Sequence, residues 1–188
     1  AVMVIVSADS IYIDAGTYDE QVVLPNTKDD VHFIGVGPCG TVAPDLTTVV
    51  DFTGTVTGKP TLFDIAGDNT VIDGIHFKVN LTKLNSAIIA SDPALDNITL
   101  KNNCIDPYQS IPGTNFGSYG NRNAISINYG GPTDYRVASG GVDNILVDNN
   151  TLTATVNGPV LGDDPGDISF RSAISVDEGA GTYTRNTF

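Results

Sequence analysis

Three stretches of this chain start and alternate in the same way. They are Asp68-Asn-Thr-Val-Ile-Asp-Gly-Ile-His-Phe77, Asp96-Asn-Ile-Thr-Leu-Lys-Asn-Asn-Cys-Ile105 and Asp143-Asn-Ile-Leu-Val-Asp-Asn-Asn-Thr-Leu152. A shorter variant, Asp30-Val-His-Phe-Ile-Gly35, precedes them, and a remnant, Arg185-Asn-Thr-Phe188, follows. Aligned, they place Val31, Thr70, Ile98 and Ile145 in one row and Phe33, Ile72, Leu100 and Val147 in the next row of the same parity. Side chains two apart on a strand share a face, so both rows are expected to point inward. His32, Val71, Thr99 and Leu146 lie between them and are expected outward, as is a second row of Asp73, Lys101 and Asp148.

A second strand family falls between members of the first. Ser86-Ala-Ile-Ile-Ala-Ser91, Asn123-Ala-Ile-Ser-Ile-Asn128 and Ser172-Ala-Ile-Ser-Val-Asp177 align without gaps, with Thr61-Leu-Phe-Asp-Ile-Ala66 as a looser copy. Ile88, Ile125 and Ile174 form one inward row, and Ala90, Ile127 and Val176 the next. Hairpins would pair neighbouring strands of different type. A coil instead pairs each strand with its own copy one turn later, in parallel, stacking like on like. Asn69, Asn97 and Asn144 are 28 and 47 residues apart, one coil and then one coil plus long loops. Asn102-Asn103 and Asn149-Asn150 sit where the first strand bends, and Asn186 recurs there. Asn tolerates left-handed geometry, and a stacked ladder of its amides satisfies buried polar groups. A β-sandwich would also supply short strands and Asn-rich turns, but two independent ladders that agree favour the coil.

The expectation is therefore an all-β fold, a right-handed parallel β-helix of about five to six coils with long loop insertions. It forms a single domain over residues 1–188. The motif is cut at both ends, so we expect a segment of a longer protein, or one that stacks on a partner and self-associates through uncapped coil ends. The β-branched opening run favours a strand there over a helix.

Composition narrows the partners. The net charge is −13, which opposes nucleic-acid phosphate and anionic membranes and leaves cations, or simple solubility, as its consequence. No run of 18 apolar residues is present, so no membrane insertion is expected. Cys39 and Cys104 are too few for a disulfide scaffold, and their separation does not say whether they pair. His32 and His76 are the only histidines, and no Cys/His cluster suggests zinc. Sequons at Asn80, Asn97 and Asn149 are what chance supplies in an Asn- and Thr-rich chain.

Asp9-Ser-Ile-Tyr-Ile-Asp-Ala-Gly-Thr-Tyr-Asp-Glu-Gln-Val22, followed by Val31-His-Phe-Ile-Gly-Val-Gly37 and Thr48-Val-Val-Asp51, resembles the opening coil of the pectin-lyase-like superfamily. Pectin methylesterases and NosD-type surface repeats carry a similar Gly-x-Tyr-x-Glu segment. The resemblance covers nearly the whole chain and implies a fold rather than an activity. The superfamily's catalytic motifs are absent: neither the Gln-Asp-Thr and Asp-Phe-Ile-Phe-Gly segments of the esterases nor the Asn-Thr-Asp, Gly-His-Gly and Arg-Ile-Lys segments of polygalacturonase-like enzymes occur. Asp-Asp alone appears, at Asp29-Asp30 and Asp163-Asp164.

The strongest candidate binding surface is the insertion from Asp106 to Gly141. It gathers Tyr108, Phe116, Tyr119, Tyr129 and Tyr135, five of the fourteen Tyr and Phe residues, with Arg122 and Arg136. Aromatic faces suit the C–H face of a sugar, and arginine grips a uronate or sulfate with two hydrogen bonds. The plainer account is that these rings cover the coil. Asp163, Asp164 and Asp167 in a Gly/Pro turn are candidate Ca²⁺ ligands, against the plainer account of a solvated acidic turn. Ser126 and Ser175 form an outward polar ladder with no histidine beside them. His76 falls in register with Cys104, a pairing usually without consequence, and alternating Asp73, Lys101 and Asp148 suit strand stacking better than acid/base work. Thr151-Leu-Thr-Ala-Thr155 lacks the ranks of an ice-binding face. The leading expectation is an extracellular or cell-surface scaffold, adhesive or assembly module that binds polysaccharide without evident catalysis. Its rival is a carbohydrate-active enzyme of the same superfamily acting on acidic polysaccharide.

Overall fold

The computed structural model describes residues 7–37, 46–56, 60–90, 95–108, 123–127, 142–153, 172–176 and 179–187. The chain lays down three strands and then repeats the cycle. The first round is β1 (Ser10–Tyr12), β2 (Gly16–Tyr18) and β3 (Val22–Leu24), and the second is β4 (His32–Ile34), β5 (Thr48–Asp51) and β6 (Thr61–Ile65). Then come β7 (Val71–Asp73), β8 (His76–Asn80) and β9 (Ser86–Ala90), followed by β10 (Thr99–Lys101), β11 (Cys104–Tyr108) and β12 (Asn123–Ile127). A fifth round holds β13 (Val142–Asp148), β14 (Thr151–Leu152) and β15 (Ser172–Val176), and β16 (Gly179–Thr184) opens a sixth. Every strand pairs with the one three places later, giving parallel sheets ordered β1-β4-β7-β10-β13-β16, β2-β5-β8-β11-β14 and β3-β6-β9-β12-β15. The fold is all-β with three parallel sheets, consistent with a parallel β-helix.

The inward rows stack as expected. Thr99 pairs with Val71 and Leu146, which places Leu100 against Ile72 and Val147. Val31, Phe33, Thr70, Ile72, Ile98, Leu100, Ile145 and Val147 are all buried. In the third sheet Ile125 pairs with Ile88 and Ile174, and Thr61 with Ser86, so the looser copy belongs to the same family. Phe63 sits at the middle of the core, 5.2 Å from the rings of both Phe33 and Phe77 in edge-to-face geometry. It thereby ties all three sheets together.

Two details depart from the sequence reading. The repeated motif is two strands rather than one, because the chain turns sharply between β7 and β8, β10 and β11, and β13 and β14. Gly74 (φ 70°), Asn102 (φ 55°), Asn149 (φ 52°) and Arg185 (φ 52°) hold the left-handed corner. The residue after each corner supplies the expected ladder. Asn103 Nδ2 donates to Asn150 Oδ1, and Asn150 Nδ2 to Asn186 Oδ1, each at 3.0 Å. A second left-handed corner, at Asp30, Asn69, Asn97 and Asn144, opens the first sheet. There the backbone N–H of Asp96 donates to Asp68 Oδ1, and that of Asp68 to Asp29 Oδ1. The other departure concerns the outward face of the third sheet. Leu62, Ala87, Ile89, Ala124 and Ser126 are buried there, so Ser126 is no exposed ladder; Asn123 Nδ2 donates to its hydroxyl at 3.2 Å.

The outward row of the first sheet is an ion-paired stack. Lys101 pairs with Asp73 at 3.3 Å, and the Asp148 carboxylate accepts hydrogen bonds from Arg185 Nε and Thr184 Oγ1, each at 2.8 Å. The Arg185 donors, and then Thr184, hold the Asp148 carboxyl down at about 2. A carboxyl depressed by folding stabilises the native state above its unfolded value of 3.8 and loses that contribution as pH falls through about 2. Asp148→Asn is therefore expected to lower the melting temperature at pH 7, with the gap to wild type closing between pH 4 and pH 2. Thermal melts across that range check it, and a gap independent of pH would count against the pairing.

Candidate functional site

Of the candidate ligand residues, Tyr108 lies on the second sheet; Phe116, Tyr119, Arg122, Tyr129, Tyr135 and Arg136 lie outside the described residues, as do Asp163, Asp164 and Asp167. The segment Asp106–Gly141 is not one insertion, since its start belongs to β11 and Asn123–Ile127 is β12.

Parallel register aligns the outward side chains of the second sheet into rows. One row runs Val49, His76, Cys104 and Thr151, and the next runs Asp51, Lys78 and Asp106. Tyr108 pairs with Asn80 in a third. The rows come together through side chains. Tyr108 donates its hydroxyl proton to Asp51 Oδ1 at 2.6 Å, and Lys78 Nζ lies 3.6 Å from Asp51 Oδ2 and 5.3 Å from the Tyr108 ring centroid. Thr153 Oγ1 donates to Asp106 Oδ1 at 3.0 Å. Asn80, itself buried, also bonds to the Tyr108 oxygen, so the ring is clamped from two sides.

The electrostatics follow from this packing. Burial, and then the acceptor and negative charge of Asp51, push the Tyr108 hydroxyl well above its ordinary value, so it stays protonated as a donor. Burial also pulls His76 down, with Asp106 opposing the shift and Lys78 reinforcing it, so the imidazole is neutral at pH 7. Cys104 neighbours His76 as the register required, but it is disulfide-bonded and offers no thiol for a Cys–His pair. Cys39 is the only other cysteine in the sequence and lies outside the described residues.

At the edge of the same face, Asp19 accepts from the Thr53 N–H at 2.6 Å and its hydroxyl at 2.7 Å, which lowers the Asp19 carboxyl. Lys83 Nζ donates to the Gly54 carbonyl at 2.8 Å and to that of Thr53. Chemically, the face offers two carboxylates on either side of an ammonium, a fixed phenol and a neutral imidazole. Sequence reasoning picked out Tyr108 and aligned His76 with Cys104, but missed Asp51, Lys78 and Asp106 as a set. The alignment of Phe77 with Ile105 could have revealed that Lys78 and Asp106 share a row.

Among the described residues, no group of three or more His, Cys, Asp or Glu side chains could hold a metal ion, and no helix is long and apolar enough to cross a membrane. A cavity of about 310 Å³ lies among the apolar Ile11, Ile13, Val22, Phe33, Val50 and Phe63 and the side chains of Tyr12, Asp14, Tyr18 and Glu20. Its wall therefore joins apolar side chains of the stack to polar and exposed ones of the first round, and none of Asp51, Lys78 or Asp106 lines it. No protein-family model matches the chain, and no curated protein or solved structure matches it either.

Proposed function

We propose that the chain is a right-handed β-helix of the pectin-lyase-like kind. It serves as an extracellular or cell-surface scaffold or adhesive that binds polysaccharide without catalysing its breakdown. The observation that carries this reading is the state of Asp51. Both of its oxygens are engaged, one by the Tyr108 hydroxyl and one by the Lys78 ammonium. A carboxylate so engaged is set up to orient its neighbours. Tyr108 adds a rigid aromatic ring of the type that lies against sugars. The disulfide at Cys104 supports an oxidising compartment. Self-association belongs to the same reading, because parallel rungs pair edge to edge with further copies; light scattering over a concentration series measures it.

The second reading, a carbohydrate-active enzyme, draws on one observation. Asp51 and Asp106 lie two strands apart, roughly 10 Å at the backbone, near the separation that inverting glycosidases use. Lys78 stands between them, where such an enzyme holds its water. Incubation with neutral and acidic polysaccharides, with and without Ca²⁺, separates the readings. We expect retention of the protein on at least one polysaccharide with no new reducing ends and no unsaturated products. Product release would replace the scaffold reading with the enzyme.

A further inference from the structure

We propose that the outward row Asp51, Lys78 and Asp106, with Tyr108 and His76 beside it, is the binding site for an uncharged sugar unit of a glycan. This rests on the polysaccharide-binding reading and deepens it. Lys78 is the centre of the argument. Its side chain is 40% exposed and held beside Asp51 and Tyr108, yet its ammonium makes no hydrogen bond among the described residues. Its N–H donors are thus positioned by the ion pair with Asp51 and the Tyr108 ring, with none given to a hydrogen bond among the described residues. His76, two residues earlier on the same face, is held neutral by burial and offers one donor and one acceptor. Asp51 retains lone pairs beyond the one that accepts from Tyr108.

A sugar hydroxyl both donates and accepts, so it needs donors and acceptors interleaved at short range. Adjacent strands lie about 4.8 Å apart, so the row places acceptor, donor and acceptor across roughly 10 Å. The Tyr108 ring flanks that row and is fixed by Asp51 and Asn80, so little ordering is lost on binding. Charge selects the ligand class. A polyuronate would face two carboxylates against one ammonium, on a chain of net charge −13. A cationic amino sugar would compete with Lys78 for Asp51. An uncharged unit pays neither cost.

The test measures binding of the whole chain to neutral glucan, mannan, galactan and xylan, to polygalacturonate and to chitosan. The variants are Lys78→Met, which keeps the aliphatic stem, and Lys101→Met, whose ion pair lies on another sheet. Wild type is expected to bind at least one neutral glycan, with affinity falling about tenfold or more in Lys78→Met and holding in Lys101→Met. On the wild-type chain, the bound neutral glycan should also shield Lys78 from acetylation, read by mass spectrometry, whether or not Lys78→Met folds. Binding to polygalacturonate or chitosan alone overturns the ligand class. Undiminished neutral-glycan binding by a folded Lys78→Met, or unshielded Lys78, overturns the site and leaves polysaccharide binding standing. Binding to none of the six removes both.

Discussion

Asn103→Ala is expected to lower the unfolding free energy by about 3 kcal/mol, the cost of stranding two or more buried backbone groups. Asn103 is fully buried. Its Oδ1 accepts the Ile75 N–H at 3.0 Å, and its Nδ2 donates to the Ile72 carbonyl at 3.0 Å and to Asn150. These are the groups that the corner takes out of the sheet ladder, and alanine leaves them without partners. Asn103→Asp does not rescue the loss, because it keeps the acceptor but deletes the donor and buries a charge. The outer corner residue behaves differently. Asn102 donates to Asp73 Oδ1 near the surface, so Asn102→Gly keeps the left-handed backbone and costs under about 1 kcal/mol. Urea unfolding of the two variants measures the contrast. A deficit in Asn103→Ala no larger than that in Asn102→Gly would show that the inner amide ladder does not hold the corner.

Phe63→Ala is expected to cost about 4 kcal/mol, from lost transfer energy and the cavity left behind. The ring is 1% exposed and stands edge-to-face against Phe33 and Phe77, each on a different sheet. Its removal opens the point where the three sheets meet, and the neighbours cannot close in because each is pinned by stacked rows above and below. Phe63→Leu keeps most of the volume and should lose only about 1 to 1.5 kcal/mol. Chemical denaturation gives both numbers. Equal losses in the two variants would mean that the ring edges, not the filled volume, hold the centre.

What could be read in the sequence, and what could not, divides along the pleat. Inward residues must repeat their character, because each stacks on its own copy and any polar intruder would be buried. Ile72, Leu100 and Val147 announce the register for that reason, as do Ile88 and Ile125. The Asn corners were visible too, since few residues accept left-handed backbone and also bond up and down a ladder. The count of strands per round was not visible. A corner built on a single left-handed residue leaves period-two alternation nearly unbroken, so two strands looked like one. Nor was the burial of Ser126 on an outward face, which depends on what lies over the third sheet.

Asp51, Lys78 and Asp106 escaped notice for the complementary reason. Outward positions need not resemble their neighbours, so Val-Val-Asp-Phe, His-Phe-Lys-Val and Cys-Ile-Asp-Pro share no motif. The amino-acid sequence by itself determined that strands return in parallel onto their own copies, because only that arrangement buries its apolar rows. The tertiary structure alone decided that Tyr108 and Lys78 both reach Asp51. Asp51, Lys78 and Asp106 recur 27 and 28 residues apart without a shared motif, and the contacts of Tyr108 and Lys78 with Asp51 exist only once every rung has been stacked in register.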